Sequence, residues 1–269
     1  MTLLDGRPLA AAIREQVALE AAAGPAPVLA AVVGTDDPAA EWYLGSIAKA
    51  TETVGIELRE ERAVDVLDRI ERLSADDGVD AIICLTPLPV GLSLADAGER
   101  IAPAKDVDGA SPLSLGRLAA GLPAFAPATA QAVLELLHAS GTALEGADAV
   151  VVGRSTVVGK PLVMLLLAEN ATVTVCHTRT RDLAAETLHG DVLVAAAGRA
   201  HLIGAEHVKP GAVVIDVGTN EGPNGTMVGD VDTAGVEPVA GLVTPVPGGV
   251  GPVTTAVLLR NVVTAARRG

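Results

Sequence analysis

Five short stretches of this chain hold residue types that can do chemistry. KDVDG (105–109) puts two carboxylates, Asp106 and Asp108, into one tight turn. Read alone it is first an ordinary Asp–Gly turn; in a pocket, either carboxylate could grip a polar ring. Trp42 and Tyr43 stand side by side in a chain that has one tryptophan, one tyrosine and one phenylalanine, Phe125. Two of its three aromatic rings therefore sit in one short segment. GRSTVVGKP (153–161) follows the apolar run ADAVVV. A strand, a glycine turn and a helix in that order let backbone N–H groups and a helix N-terminus face a pyrophosphate. The spacing Gly153-x5-Gly159 is not GxGxxG, so a turn that binds nothing fits this segment as well. Some twenty residues on, where a dinucleotide fold commonly carries an acid for the ribose hydroxyls, the chain reads VCHTRT, with Thr178 and Arg179 and no carboxylate. Arginines and hydroxyls without an acid suit a 2′-phosphate, hence NADP; Arg179 is equally placed to be a solvated surface cation. TPVPGGVGP (244–252) sets stiff prolines around three glycines, an arrangement that brings backbone close to a ligand.

The elements that must position these residues alternate between strand and helix, the pattern of an α/β protein with mostly parallel sheets. Buried strands are expected at 27–34, 79–85, 147–153, 171–177, 191–197 and 212–218, and an amphipathic strand at 56–62. Helices are expected over 7–22, 64–75, 129–140 and 254–267. Asp37-Pro38 is a helix start and Gly55 a stop, which places Trp42 and Tyr43 on one helix. The proline-rich GLPAFAPA (121–128) is the expected hinge between two lobes. The lobe boundaries read from this are 1–122 plus 251–269 for one lobe and 123–250 for the other.

Composition narrows the partners. Thirty-three Asp and Glu against 19 Lys and Arg give a net charge of −14, which argues against nucleic acid or an anionic membrane surface as the main partner. Cys84 and Cys176 lie in apolar runs and read as buried free thiols, and no Cys or His spacing suggests a metal. No stretch reads as a signal peptide or a membrane span. A cytoplasmic protein without a metal is the expectation.

Taken together, GRSTVVGKP, ATVTVCHTRT, VKPGAVVIDVG, GDVD and TPVPGGVGP resemble the methylenetetrahydrofolate dehydrogenase/cyclohydrolase family in order and spacing. PLP after a buried strand, KDVDG and the Tyr43 helix extend the resemblance over essentially the whole chain. It implies an N-terminal α/β substrate lobe completed by the last helix, a Rossmann-type NADP-binding lobe with a parallel sheet, a folate cleft between them, and a homodimer. It also implies that Gly153, Arg154, Ser155, Gly159, Thr178, Arg179 and Thr219 contact NADP. Tyr43, Asp108 and the loop Pro247, Gly248, Gly249, Val250 and Gly251 would line the site for a tetrahydrofolate derivative, with Tyr43 and Asp108 nearest the chemistry.

The sequence departs from the family on the substrate side. The lysine expected four residues after the tyrosine is Ile47, and the glutamine expected before PLP is Leu85. Lys49 is no replacement, since it falls ~120° around the helix from Tyr43. Ala40 stands for a serine, Ser114 for an asparagine, and PATAQA (127–132) for a Pro-Cys-Thr-Pro-type turn. Hydride transfer needs alignment and no protein base, whereas ring opening by water needs proton transfer. The expected activity is therefore an NADP-dependent dehydrogenase with weak or absent cyclohydrolase. The alternatives are a paralogue acting on another N-methylene or iminium substrate, a bifunctional enzyme with a relocated base, and a non-enzymatic nucleotide or folate binder.

Overall fold

A computed structural model describes residues 2–268. The chain forms two compact units: residues through Leu9 with Thr129–Thr254, and Ala10–Ala128 with Thr255 onward. Compared with the boundaries expected from sequence, the crossing point lies at 128/129 instead of 122/123, and the first nine residues join the dinucleotide unit. The reason is β1 (Thr2–Leu3), which pairs in parallel with a strand some 240 residues away, Leu242–Val243. The chain continues with α1 (Arg7–Ala21).

The first half then builds three strands and their connecting helices. β2 (Val28–Val33) is buried along its whole length. α2 (Pro38–Val54) starts where Asp37 accepts the Ala39 N–H and stops at Gly55, whose φ of 74° is the left-handed geometry that glycine tolerates. β3 (Glu57–Arg62) mixes exposed and half-buried residues, none of them buried. α3 (Val66–Ala75) is capped by Asp65, and β4 (Ala81–Cys84) is wholly buried. α4 (Leu94–Arg100) opens on a reciprocal cap between Ser93 and Asp96. α5 (Pro112–Ala119) is capped by Ser111, and α6 (Ala128–Ala139) begins the passage to the other unit. The sheet order β3-β2-β4 is all parallel. Val28, Val32, Val66, Ile70, Ile82 and Ala97 belong to the core on one side of it.

The second half runs β5 (Asp148–Val152), α7 (Gly159–Ala168), β6 (Thr172–Cys176), α8 (Leu183–Thr187), β7 (Val192–Ala195) and β8 (Val213–Asp216). A small antiparallel pair follows, β9 (Asn220–Glu221) and β10 (Met227–Val228), then α9 (Thr233–Val236), β11 (Leu242–Val243) and α10 (Val250–Ala266). The six-stranded sheet is parallel, in the order β1-β11-β8-β7-β5-β6. Both sheets share one device: the first strand goes out through a helix to a neighbour on one side, and the chain then returns to the other side. The strand order thus reverses at β2/β4 and at β5/β7, and in open α/β sheets the C-terminal rim at such a reversal is where ligands bind.

Candidate active site

At the β5/β7 rim two glycines are there for want of room. Gly153 has a φ of 141°, and a Cβ there would stand 2.1 Å from the Ala196 carbonyl oxygen; a Cβ on Gly159 would stand 2.3 Å from the Gly153 carbonyl oxygen. The turn is thus folded against the exit of β7 and against itself. Val158, ahead of α7, offers no side-chain cap. The Ser155 hydroxyl oxygen accepts the Val158 and Gly159 N–H groups at 3.2 and 3.4 Å, which leaves its proton free to donate. Arg154 and Ser155 are exposed, as are Thr178 and Arg179 after β6 and Thr219 after β8. The Arg179 N–H donates to His177 Nδ1 at 3.0 Å, holding the loop beyond β6 in a turn. The first carboxylate in that loop, Asp182, is spent on capping α8. The donor set therefore fits a dinucleotide with an extra phosphate: arginines, hydroxyls and a helix whose first turn holds no acidic residue.

The proline–glycine loop has a different anatomy from the one expected. Val250 and Gly251 lie in the first turn of α10, not in the loop. Gly248 has a φ of 114°, and a Cβ on Gly249 would stand 2.7 Å from the Pro245 carbonyl oxygen. Two of the three glycines are thus required by the fold itself, and only Gly251 faces open space. Thr244 anchors the loop, its hydroxyl accepting the Asp216 N–H at 2.7 Å, and the Gly6 N–H donates to the Gly248 carbonyl at 2.9 Å. Pro247 is exposed at the tip.

At the β2/β4 rim the KDVDG carboxylates divide their work. Asp106 is fully buried and accepts the N–H groups of Ala110 and Ser111 and the Ser114 hydroxyl, at 2.8, 3.1 and 2.6 Å. It holds the turn together, so the structural reading of this motif is right for Asp106. Ser114, standing where the family has an asparagine, serves that turn. Asp108 accepts the Ala128 N–H at 2.9 Å at the start of α6. Burial pushes its carboxyl up to about 6, with the nearby Asp106 adding to burial and the Ala128 bond opposing it. Burial also pushes the Tyr43 hydroxyl above its ordinary range, and the Asp108 charge adds to that. Tyr43 and Asp108 are therefore neighbours.

Ile47 is fully buried and Leu85 nearly so. Ile47 continues the inward stripe of α2 made by Ala40, Leu44, Thr51 and Val54, while Lys49 and Trp42 point to solvent. The Cys84 thiol, at the end of β4, is pushed up to about 12 by burial, and Cys176 is buried as well. Among the described residues no cluster of three His, Cys, Asp or Glu could hold a metal, and no helix is long and apolar enough to cross a membrane.

Two buried carboxylates near the cofactor rim, Asp216 and Asp230, were absent from the site read from sequence. The signal was there in GDVD, whose glycine is forced: a Cβ on Gly229 would lie 1.8 Å from Asp216 Oδ2.

Two parallel sheets whose strand order reverses, one carrying a glycine turn and the other a tyrosine–carboxylate pair, define a dinucleotide-dependent enzyme with a separate substrate unit. Residues 4–108 match the catalytic domain of tetrahydrofolate dehydrogenase/cyclohydrolase, and residues 127–269 match the NAD(P)-binding domain of the same family. The chain belongs to that family. It is 55% identical over 274 residues to the bifunctional protein FolD of Parafrankia sp. (strain EAN1pec), covering 99% of both chains. The crystal structure of the bifunctional FolD of Campylobacter jejuni superposes with a TM-score of 0.96 at 40% identity, covering 100% of this chain and 99% of that one. The Trypanosoma brucei dehydrogenase-cyclohydrolase, solved with NADP and an inhibitor, gives 0.93 at 34% identity, covering 99% and 97%. These names do not support the expected loss of cyclohydrolase; they describe bifunctional proteins.

Proposed function

We propose that this chain is an NADP-dependent methylenetetrahydrofolate dehydrogenase that also hydrolyses the methenyl product, as the names of its relatives indicate for them. The observation that carries the dehydrogenase reading is the β5/β7 rim, with its forced glycines and exposed arginines and hydroxyls. NADP, when bound, supplies the hydride acceptor. Gly153 and Gly159 give the dinucleotide a close backbone surface, and Arg154, Ser155, Thr178 and Arg179 hold its phosphates. Tyr43 offers a ring face to the pterin, and Asp108 accepts its N–H groups. Losing hydride leaves a methenyl cation stabilised by its own nitrogens, so the protein's task in that step is alignment. The homodimer implied by the family resemblance and the cytoplasmic location expected from the sequence are parts of the same reading.

Ring opening asks for more. Water attacks the methenyl carbon and loses a proton, and the departing nitrogen gains one. Ile47 and Leu85 can do neither. Asp108, with a carboxyl pushed up to about 6, is present in both protonation states near neutral pH and is the group this reading assigns to the proton. A second reading, dehydrogenase alone, is favoured by one observation: the two positions expected to carry lysine and glutamine are buried hydrocarbon. Purified protein assayed with methylenetetrahydrofolate and each nicotinamide cofactor, then with methenyltetrahydrofolate alone, decides between them. Methenyl hydrolysis above the spontaneous rate supports the first reading and its absence the second. No turnover in either assay sinks both.

A further inference from the structure

We propose that Asp230, backed by Asp216, is a positioning residue for the nicotinamide half of the dinucleotide. Asp230 is fully buried, yet every oxygen is engaged. Oδ2 accepts the Ala197 and Gly198 N–H groups at 2.6 and 2.9 Å, and Oδ1 accepts the Arg199 N–H at 2.8 Å and the Asn220 side-chain amide at 2.9 Å. Three consecutive backbone donors converging on one point make the kind of nest that attracts an anion, and here the protein's own carboxylate fills it. Asp216, at the end of β8, supports Asp230 from behind: its carboxylate accepts the N–H groups of Gly218, Asp230 and Val231 at 2.9, 2.9 and 3.0 Å. The fold has given up side chains for this arrangement. A Cβ on Gly218 would stand 2.3 Å from Asp230 Oδ1, and one on Gly229 1.8 Å from Asp216 Oδ2.

The two carboxylates tie down the exits of β7 and β8, beside the backbone bonds from the Ala196 N–H to Val152 and from the Val217 N–H to Ala195. Residues 197–199 are exposed and follow Ala196, the residue whose carbonyl lies against Gly153. Thr219 sits between Gly218, held by Asp216, and Asn220, held by Asp230. The sheet order says which part of the ligand passes here. A dinucleotide placed with its pyrophosphate on the turn after β5 has its adenosine ribose at the end of β6, so its other half crosses to the β7 and β8 side. Filling the nest with a carboxylate also denies it to the ligand's phosphates, which leaves the β5–α7 turn as their place. Asp230 thus fixes both the wall and the register of the nicotinamide half.

The inference rests on the NADP reading, and its test separates the two. Calorimetry compares NADP with adenosine 2′,5′-bisphosphate, which carries both phosphates of the adenosine half and no nicotinamide. Asp230→Asn turns an amide against backbone donors and removes charge-assisted bonds, so NADP should bind about tenfold or more weakly. The bisphosphate should bind as it does to the unmodified protein. Asn220→Ala removes one donor and leaves the nest intact; it should give the same selective loss at about threefold, and it answers the question if Asp230→Asn does not fold. Equal losses for both ligands, or no loss for either, would overturn the proposal. Failure of the unmodified protein to bind either ligand would overturn the NADP reading and this one with it.

Discussion

The two strand-order reversals of this chain are alike in topology and opposite in chemistry. After β5 the chain turns through Gly153 and Gly159 into a helix whose first turn has no side-chain cap from the residue before it. After β2 it turns through Gly34 into a helix whose N-terminus is already filled by the Asp37 carboxylate, which accepts the Ala39 N–H at 2.8 Å. The helix dipole favours an anion at either place, but at α2 the protein supplies the anion itself. A phosphate would meet repulsion there, whereas at α7 the Gly159 and Lys160 N–H groups are held by the uncharged Ser155, whose hydroxyl proton can still donate. The same βαβ device therefore opens on a helix start without an acid in one unit and, in the other, on one filled by Asp37. What distinguishes them is one capping residue and the side chains beyond it.

The largest expected effect comes from breaking the cofactor rim. Gly153→Ala would force a side chain into a left-handed backbone and against the Ala196 carbonyl. Strain of ~1–3 kcal/mol before any clash predicts loss of NADP affinity by about a hundredfold or more, with a lowered melting temperature. The same change on the other rim's helix, Gly45→Ala, meets open space and should stabilise the protein by ~0.5–1 kcal/mol. A Gly153→Ala protein that binds NADP normally would show that the turn does not carry the dinucleotide.

The next effect falls on the substrate rim. Asp108→Ala should weaken binding of a tetrahydrofolate derivative by roughly ten- to a hundredfold, the loss of hydrogen bonds to a charged group, and leave NADP affinity unchanged. Asp108 also accepts the Ala128 N–H, so this variant should lose ~1 kcal/mol of stability as a lost helix cap. Asp108→Asn keeps an acceptor for that N–H and should recover the stability without the binding. Folate affinity that survives Asp108→Ala would leave the turn as the motif's whole purpose.

These contrasts also explain what could be read in advance. α2 was legible from Asp37-Pro38 to Gly55 because caps and stops are local. The glycine turn was legible for the same reason: strand, turn and helix follow one another within some twenty residues. β1 was not, since two residues paired with Leu242 and Val243 leave no local pattern. α4 is not legible although Ser93 and Asp96 spell its cap, because at 7 residues it is too short to show an apolar period. Asp230 was hidden by distance: its donors at 197–199 and at 220 lie far away along the chain, and no spacing rule links them. In TPVPGGVGP the glycines read as ligand-facing, and the turn by itself also requires Gly248 and Gly249.

A smaller effect tests the acid-free end of β6. NADP should bind more tightly than NAD by about tenfold or more, since a charge-assisted arginine–phosphate contact is worth ~1.5–3 kcal/mol. Arg179→Ala should shrink that preference and leave NAD affinity alone. Equal affinities in the unmodified protein would return Arg179 to the solvated surface.

One half-buried and one buried acid give each rim the same pH signature. Asp108 and Asp216 are both pushed up to about 6, mainly by burial. Between the ordinary carboxylate range and 6 the folded protein holds protons that the unfolded chain has released. These two groups therefore make stability fall as pH rises through that window, by up to ~1.4 kcal/mol per pH unit each. Above 6 the cost is complete. Asp216→Asn should flatten the slope of unfolding free energy between pH 4.5 and 6, measured by urea titration. An unchanged slope would mean that Asp216 titrates like an exposed carboxylate.

The smallest effect is expected where the family resemblance would lead one to look for the largest. Ile47→Lys restores the missing ammonium on α2, but the position lies in the buried stripe with Ala40, Leu44 and Thr51. Leu85 leaves it without the partner that the resemblance assigns to that place. A lysine buried in this way loses its charge or the helix shifts to let it out, and in neither case does it stand ready to move a proton. Methenyl hydrolysis in this variant should differ from that of the unmodified protein by less than about threefold, well short of the ~10²–10⁴-fold of a positioned proton group. Ile47→Lys with Leu85→Gln is the pair that should raise it. Should the single substitution alone raise hydrolysis a hundredfold, the substrate rim would be an intact cyclohydrolase site lacking only one side chain, and the assignment of the proton to Asp108 would fall.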